Sequence, residues 1–553
     1  MANLSDSTRT RTTALTALTA IVALVLAGCS GGGGDGESDP DKTANGAITI
    51  HGTQPEVGLV PGNTSEAGGG DLLDMLWTGL VSYPADGADP RNAVAESIES
   101  SDSQTYTVKL KNGVKFHDGT DVKAHNYVDA WNFTAYSPNG QQQASFFSDI
   151  AGFADVFAAD PDGEGPQQAP QPKAKEMSGL KVVDDYTFTV TLSAPFAIFP
   201  TKLGYSAYYP LPDAFFTQGA EAFGKKPIGN GPMRFVSWID EVELKLTRFD
   251  DYVLDDKVKI KDVTVKLYQK TEAAYADLQA GNLDFLQQVP VSQLAGEKWK
   301  EDLGDRGLEA SVPSMQILSF PIYDRRFQNA DLRKAISLAI NRQELAEKIF
   351  FNSRKPATSW ARPGVPGGEA FACTVCEFKP DEARALLQRA GGFSGELVLY
   401  YNADGSHQEW MEAVASQIKN TLGIDARAAA VATFGAFRQR VNAHEMDGIF
   451  RAAWQEDYPD AENWLSPLYV AGGASNDGLY DNPQVNRLYK EGTAAPDVAA
   501  AHAKFAEAIK IVDQEVPAIP IVVVSQQSGH SSRVTGVTTN RVGEIELSSV
   551  SLT

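Results

Sequence analysis

The chain has 553 residues, of which 42% are apolar and 22% are charged, so it is globular rather than disordered and long enough for three or four domains. The formal net charge of −23 repels nucleic-acid backbones and argues against a DNA or RNA partner. Three cysteines in the whole chain exclude a disulfide-rich scaffold.

The N-terminal segment has the pattern of a secretory signal. A polar stretch with two arginines precedes an apolar run from Ala14 to Ala27, which is shorter than the roughly 20 residues of a membrane-spanning helix. The run leads into Leu-Ala-Gly-Cys, which ends at Cys29 and resembles a bacterial lipobox. We expect residues 1–28 to be a lipoprotein signal peptide and Cys29 to carry a lipid that anchors the chain outside the membrane. An ordinary signal peptide with a chance cysteine is the alternative.

Residues 29–46 are predicted to be a flexible, glycine-rich tether. The run from Gly31 to Gly36 matches Gly-x-Gly-x-x-Gly, but no predicted strand precedes it and no predicted helix follows it. A dinucleotide-binding loop is therefore excluded.

The body of the chain alternates predicted strands with predicted helices. Strands are predicted where apolar residues alternate or cluster between turns, and helices where they recur every three to four residues. Asn341 is expected to cap a second helix within the stretch 329–351. This alternation favours open α/β sheets covered by helices. The predicted strands are 48–51, 106–110, 186–192, 242–246, 263–268, 397–400, 448–453 and 519–524, the predicted helices 122–131, 329–351, 381–390, 410–418 and 499–513, and the longest predicted loop 159–173.

Signatures of the common enzyme classes are missing from the sequence. It contains no Gly-x-Ser-x-Gly elbow and no phosphate-binding P-loop, and His444-Glu445 is not followed by the second histidine of a zinc helix. The seven histidines show no ligand spacing. We therefore expect no enzyme, no cofactor and no metal site.

Cys373 and Cys376 form a Cys-x-x-Cys pair. In an extracytoplasmic protein this spacing favours a local disulfide that staples a loop, with a free or redox-active pair as the alternative. A four-cysteine zinc site is excluded, because the sequence contains no second pair.

The most informative stretch runs from residue 451 to residue 468. It places Arg451, Trp454, Asp457 and further carboxylates close together after a predicted strand. Large rings supply contact area and charges fix orientation, so this composition suits ligand recognition. A solvated loop with Trp454 tucked into the core is the alternative.

The spacing Arg451-x-x-Trp454-x-x-Asp457-Tyr458 resembles a segment of the oligopeptide-binding proteins of ABC importers, which belong to extracellular solute-binding protein family 5. Segment 114–128 is similar to another signature of that family, with Asp121 where proline is usual and Asn126 where aspartate is usual. The similar segments follow the family's order from about residue 47 to about residue 550, and they are 114–128, 184–190, 228–233 (with Met233 in place of tyrosine), 331–342, 399–402, 451–458 and 533–537.

This resemblance implies an α/β fold of the two-lobed periplasmic-binding-protein type (type II, cluster C), with an extra domain inserted in lobe I. Ligand would be engulfed between the lobes, and the chain would cross the hinge near Val312-Pro313 and again near Val524-Ser525. The implied boundaries are 47–80, 200–310 and 525–553 for lobe I, 81–199 for the inserted domain, and 312–524 for lobe II.

The resemblance also implies roles for individual residues. Asp457 matches the aspartate that pairs with the free α-ammonium of a peptide. Trp454 matches a tryptophan that packs on the ligand, and Arg451 matches an arginine that meets a ligand carboxylate. The remaining candidates for the cleft are Phe434 and Arg440, where the spacing differs by about one residue, and Phe146 and Phe147, for which core packing is the alternative.

The function implied is that of an extracytoplasmic substrate-binding lipoprotein of an ABC importer. It would capture oligopeptides and deliver them to the membrane permease and its ATPases, as a monomer. The main alternative is the same fold with a non-peptide cargo such as a sugar, an opine or a metal chelate. A secreted hydrolase and a lipid-anchored adhesin or structural protein are the alternatives from other classes.

Overall fold

The computed structural model describes residues 46–55, 57–64, 66–84, 90–158, 170–403, 407–432, 434–473 and 475–553. The predicted signal peptide and the lipidation candidate Cys29 lie outside the described residues. So do nearly all of the tether and most of the predicted loop 159–173.

The described strands are numbered in chain order. They are β1 (Ala47–Gly52), β2 (Val81–Ser82), β3 (Arg91–Asn92), β4 (Ala95–Glu99), β5 (Thr105–Leu110), β6 (Leu180–Asp184), β7 (Thr187–Thr191), β8 (Met233–Ile239), β9 (Glu243–Arg248), β10 (Asp262–Leu267), β11 (Phe285–Leu286), β12 (Gly307–Ser319), β13 (Arg354–Pro356), β14 (Leu397–Asn402), β15 (Ala426–Val431), β16 (Ile449–Gln455), β17 (Ala518–His530), β18 (Val534–Thr535) and β19 (Ser551–Leu552).

The described helices are numbered in the same way. They are α1 (Ala67–Leu76), α2 (Ala124–Ala135), α3 (Phe153–Val156), α4 (Phe199–Lys202), α5 (Asp213–Gln218), α6 (Ala220–Lys225), α7 (Thr271–Gln279), α8 (Val291–Leu294), α9 (Lys298–Leu303), α10 (Ala330–Leu338), α11 (Arg342–Lys348), α12 (Pro380–Arg389), α13 (Gln408–Leu422), α14 (Phe434–Asn442), α15 (Glu462–Tyr469), α16 (Pro483–Thr493) and α17 (Val498–Glu515).

Eleven of the described strands form one mixed sheet in the order β15-β14-β16-β12-β17-β11-β1-β10-β9-β8, with β13 beside β17. The two 13-residue strands β12 and β17 pair antiparallel at its centre. The group β14–β16 continues the sheet beyond β12, and β1 and β8–β11 continue it beyond β17. The α/β fold predicted from the alternation of elements is confirmed.

The register of the central strand pair shifts between Ser311 and Met315. Residues 307–311 pair with 525–529, whereas residues 315–319 pair with 518–523. The irregularity separates the end of the pair next to β11 from the end next to β16. It lies where the chain was expected to cross the hinge, and the exact lobe boundaries stay a prediction.

A separate four-stranded antiparallel sheet, β4-β5-β7-β6, packs against helix α2. Tyr127 of α2 stacks on Phe188 of β7 at 5.7 Å between ring centroids, and Trp131 meets the same ring edge to face. The Trp131 indole N–H donates to the carbonyl of Tyr208 at 3.0 Å. The contact between Trp131 and Tyr208 holds the region predicted as the inserted domain against the segment that follows it.

The helical stretch 329–351 divides into α10 and α11, as the capping pattern predicts. The Glu344 backbone N–H donates to the Asn341 side-chain oxygen at 3.1 Å, so Asn341 caps the second helix. Strand β17, by contrast, runs to His530 and is longer than the predicted 519–524. The additional residues are mostly polar, and hydrogen bonding to β11 and β12 rather than an apolar pattern holds them in the sheet.

Cys373 and Cys376 are joined by a disulfide. Both cysteines are buried beside α17, where the Thr374 backbone N–H donates to Asp513 at 2.9 Å. A closed loop of this size constrains the unfolded chain only modestly.

Replacing both cysteines, in Cys373→Ser/Cys376→Ser, is expected to lower the free energy of unfolding by about 2 kcal/mol, because the loop is so short. Chemical denaturation of the variant and the wild type, each with and without reductant, measures the difference. The reductant should destabilise only the wild type. A variant that does not fold would show that the disulfide does more than close a short loop.

Candidate functional site

The candidate site lies where strand β16 ends and helix α15 begins. Antiparallel pairing with β12 sets Trp454 opposite Met315. The chain then leaves the sheet at Glu456, whose backbone N–H donates to the carbonyl of Pro313 at 2.9 Å. The charged stretch is therefore held directly beside the register shift of the central strand pair.

A cavity of about 380 Å³ opens beside Arg451 and Trp454. The buried indole N–H of Trp454 has no hydrogen-bond partner among the described residues, which costs on the order of 1–3 kcal/mol while it stays unpaired. An ion pair between Arg438 and Asp477, with N···O distances of 2.7 and 3.1 Å, also lines the cavity. The cavity thus offers apolar surface, an unused donor and charged groups, as small-ligand sites do.

Arg451 is fixed at the wall of this cavity. Its Nε–H donates to the side-chain oxygen of Asn402 at 2.8 Å, and its guanidinium carbon lies 5.8 Å from the ring centroid of Phe437. Both contacts orient the planar guanidinium, which reduces the entropy lost when it binds a carboxylate.

Asp457 is largely buried two residues beyond the cavity-lining Gln455. Burial raises the pKa of its carboxyl to about 6, although hydrogen bonding to Asn463 and the charges of Lys202 and Arg541 lower it in part. The Asn463 side-chain N–H donates to the carboxylate at 3.2 Å, and the Asp457 backbone N–H donates back to Asn463 at 2.9 Å. No described cation forms an ion pair with this carboxylate, so it is oriented but has no ion-paired counter-charge.

The preceding carboxylate, Glu456, is fully buried and fully paired. Arg362 donates to both of its oxygens at 2.9 and 2.7 Å, and Arg541 donates to one of them at 2.9 Å. The Trp464 indole N–H donates to the other at 2.7 Å. The guanidinium of Arg541 also lies 4.7 Å above the ring of Tyr83. Glu456 therefore ties together segments that the sequence assigns to different lobes.

A third acidic side chain, Glu462, is buried close to this network. It accepts hydrogen bonds from the hydroxyls of Tyr458 and of Tyr489, the latter at 2.9 Å, and burial raises its pKa to about 7. The ammonium of Lys202 lies 5.8 Å from the ring centroid of Tyr458 and pairs with Asp149. Because Asp149 already neutralises Lys202, this lysine leaves room for a further positive charge, such as that of a ligand cation, in the region.

The structure does not bring every predicted residue to the cavity. Arg451 and Trp454 line it, and Asp457 lies just beyond it. Arg440 instead packs 4.8 Å from the ring centroid of Tyr400, outside the lining residues. Phe434 opens helix α14, and its side chain is outside the described residues.

The two inserted-domain phenylalanines also differ in their placement. Phe147 is completely buried against Trp131, as its core alternative predicts. Phe146 stacks on Tyr205 at 4.4 Å between centroids, and the Tyr205 hydroxyl is close enough to Asp457 for that carboxylate to raise its pKa. Both phenylalanines therefore reach the candidate site only through a tyrosine, Phe146 through Tyr205 and Phe147 through Tyr208.

The partners that organise the site carry no sequence signal of their own. Arg362 and Arg541 are distant from Glu456 along the chain, by 94 and 85 residues. Lys202 meets the site from another segment altogether. None belongs to a recognisable motif, and only the unusual density of acidic residues in 456–462 signals that buried cations are needed nearby.

Metal-ligand clusters and membrane-spanning helices are both absent from the described part of the chain. There, no group of three or more histidine, cysteine or acidic side chains has an arrangement that could hold a metal ion. None of the helices found there combines the length and the apolar character that crossing a membrane requires.

Comparison with known proteins defines the class to which this site belongs. The family model of the bacterial extracellular solute-binding proteins, family 5 (middle), matches residues 89–476. The chain is 24% identical to the oligopeptide-binding protein OppA of Bacillus subtilis over 532 residues, covering 94% of this chain and 95% of that protein.

Solved structures show the same fold. The periplasmic murein tripeptide binding protein MppA, in its unliganded open form, superposes with a TM-score of 0.76 at 21% identity over 92% of this chain and 97% of that one. OppA of Haemophilus influenzae, in complex with the peptide RPPGFSPFR, gives a TM-score of 0.71 at 22% identity over 92% and 99%.

The chain therefore belongs to extracellular solute-binding protein family 5, as the sequence resemblance predicts. The predicted two-lobed clamp is confirmed as its fold. Members of this family are extracytoplasmic substrate-binding proteins of transport systems and not enzymes, so the expectation that the chain is not a hydrolase is confirmed by its family.

Replacing Glu456 by glutamine is expected to lower the free energy of unfolding by about 3–5 kcal/mol, because two buried guanidinium groups lose their counter-charge. Denaturant unfolding of Glu456→Gln against the wild type measures this. The matched control is Glu445→Gln, which changes an exposed carboxylate and should stay within about 0.5 kcal/mol of the wild type. Equal effects of the two substitutions would contradict a structural role for the Glu456 network.

Proposed function

We propose that this protein is the lipid-anchored substrate-binding component of an ABC importer for oligopeptides. It captures peptides between its lobes and delivers them to a membrane permease. The observation that carries the proposal is Asp457, an oriented and largely buried carboxylate without an ion-paired cation, next to a cavity lined by Arg451 and Trp454.

A peptide supplies what these residues lack. Its free α-ammonium provides the counter-charge for Asp457, and burying such an ammonium without a carboxylate would be costly. A peptide carbonyl accepts from the unpaired indole N–H of Trp454. The Arg451 guanidinium, held by Asn402, can meet a ligand carboxylate. Peptide side chains occupy the remaining space of the cavity, so affinity rests mainly on groups that every peptide shares.

The relatives support a peptide cargo. The matched proteins include an oligopeptide-binding protein, a murein tripeptide binding protein and a protein solved with a nine-residue peptide. Their shared fold supports capture by closure, in which a ligand that touches both lobes stabilises the closed state over the open one. In this chain the movement would occur at the register shift of β12 and β17, near residues 312–313 and 524–525.

The N-terminal pattern supports the anchor. A lipid on Cys29 would keep the binding body close to the permease, with residues 29–46 as the tether. We propose that the body works as a monomer.

Replacing Asp457 by asparagine is expected to weaken the binding of a short peptide with a free N-terminus by about 30-fold to 1,000-fold, the effect of removing one partner of a buried charge pair. Isothermal titration calorimetry with the wild type and Asp457→Asn measures the change. The N-acetylated form of the same peptide is the ligand control and should lose little, and the exposed Asp255→Asn is the control variant.

Equal losses for the free and the acetylated peptide would overturn the role of Asp457. No binding of either peptide to the wild type would favour a non-peptide cargo, because a carboxylate also accepts hydrogen bonds from sugar hydroxyls.

Peptide affinity is also expected to depend on pH in one direction. The carboxyl of Asp457 has a pKa of about 6 without ligand, and a bound ammonium would lower it. Below about pH 7, where the peptide's own α-amino group stays protonated, affinity should therefore be flat down to pH 6 and fall by up to roughly tenfold per pH unit at lower pH, because a proton must then leave Asp457 on binding.

Calorimetry near pH 5.5 in buffers of different ionisation enthalpy counts the released protons. The wild type should release a proton that Asp457→Asn does not, whereas Glu462, with its pKa of about 7, is present in both proteins. The same proton release from the two proteins would assign the pH dependence to another group.

A further inference from the structure

A second cleft, of about 350 Å³, lies at β13, on the other side of β17 from β12. One wall comes from residues 294–300 and the other from residues 343–356. Glu309 of β12 and Gln527 of β17, which are paired positions of the central strands, also line it. This cleft shares no lining residue with the cavity at Arg451 and Trp454.

Arg354 is the main charged group of this second cleft. Its Nη1 is buried and has no hydrogen-bond partner among the described residues, and its guanidinium forms no ion pair with them. Its contact is with the ring of Phe350, 4.5 Å from the guanidinium carbon. A guanidinium has five N–H donors, and leaving the two on Nη1 buried and unpaired is costly. The charge persists at neutral pH, because burial lowers the pKa only to about 10.

The other charges at the cleft do not neutralise Arg354. Lys300 pairs with Glu297 at 2.7 Å. Glu309 is exposed at the edge of the cleft. Its negative charge acts on Lys300, whose pKa it helps to raise. Lys355 is exposed and adds positive charge beside Arg354. The wall formed by β13 is therefore positive.

The backbone beside Arg354 is strained. Phe351 and Asn352 are consecutive residues in the left-handed region, with φ of 49° and 61°. This conformation costs about 1–2 kcal/mol per residue for side chains other than glycine, and such strain concentrates at ligand sites. It places the partly exposed ring of Phe351 in the cleft, near the apolar side chains of Leu294 and Ala346.

We propose that this cleft binds a small organic anion, a carboxylate or a phosphate with an apolar body. The acid group pairs with the guanidinium of Arg354, whose planar fork matches both kinds of anion. The apolar body lies against Phe351, Leu294 and Ala346. The site is separate from the proposed peptide site and does not depend on the identity of the cargo there.

Benzoate and phenyl phosphate are the probes, with benzyl alcohol as the neutral control. Each is titrated into the body of the protein, and binding is followed by calorimetry and by saturation-transfer NMR. Binding of the two anions should be saturable in the wild type and weaker by about tenfold to hundredfold in Arg354→Gln, the effect of losing a charge-assisted hydrogen-bonded pair. Arg487→Gln removes a positive charge from an exposed position of α16 and should leave binding unchanged.

Several results would overturn the proposal. They are the absence of anion binding to the wild type, equal affinity in Arg354→Gln and Arg487→Gln, and binding of benzyl alcohol as tight as that of the anions. A lower thermal midpoint of Arg354→Gln without any anion effect would make Arg354 a structural partner of Phe350 only. Arg354→Lys, which keeps the charge and loses the fork, gives a second test if the glutamine variant does not fold, and it should bind the anions with intermediate affinity.

Discussion

The ion-pair network of Glu456 with Arg362 and Arg541 is the interaction on which the rest of the site depends. A carboxylate without exposed surface is tolerated only when its charge is balanced and its oxygens are hydrogen-bonded, and here two guanidinium groups and the Trp464 indole do both. The network fixes the chain at the point where it leaves β16 and enters α15. The direction of the next carboxylate, that of Asp457, follows from this constraint.

Two adjacent acidic residues thus have opposite roles because of their partners. Glu456 is saturated and structural, whereas Asp457 is oriented by the Asn463 amide and has no ion-paired cation among the described residues. Arg541 contacts both, since it donates to the Glu456 carboxylate and to the Asp457 carbonyl at 3.3 Å. Its position against Tyr83 links this arrangement to the region predicted as the inserted domain. A change in the angle between the lobes would therefore alter the contacts next to the carboxylate proposed to hold the ligand.

Local sequence patterns predicted local structure, but they did not predict which residues pair with partners distant along the chain. Alternating residues predicted β7, and the polar side chain of Asn341 predicted a helix start, because both depend on neighbouring residues only. The pairing of Glu456 with Arg541 depends on the folded chain and has no sequence spacing to reveal it. Arg440 shows a related difficulty: one residue along a helix turns a side chain by 100°, so a spacing uncertain by one residue cannot decide which face it occupies. In α14, Phe437 and Arg438 line the cavity, whereas Arg440 packs on Tyr400.

The electrostatics of the site connect folding with ligand choice. The pKa of the Asp457 carboxyl rises from 3.8 to about 6 on folding. Above pH 6, where the carboxyl is ionised, this rise lowers the stability of the folded state by on the order of 3 kcal/mol. The unliganded protein bears this cost at neutral pH, and Glu462 adds a second buried carboxyl with a raised pKa in the same region. Lys202 is committed to Asp149 and Arg541 to Glu456, so neither removes the cost. A ligand that introduces a positive charge next to Asp457 removes it, and an uncharged ligand of the same shape does not. The proposed selectivity for an amino group thus follows from what the fold leaves unpaired, and it requires no recognition of any particular side chain.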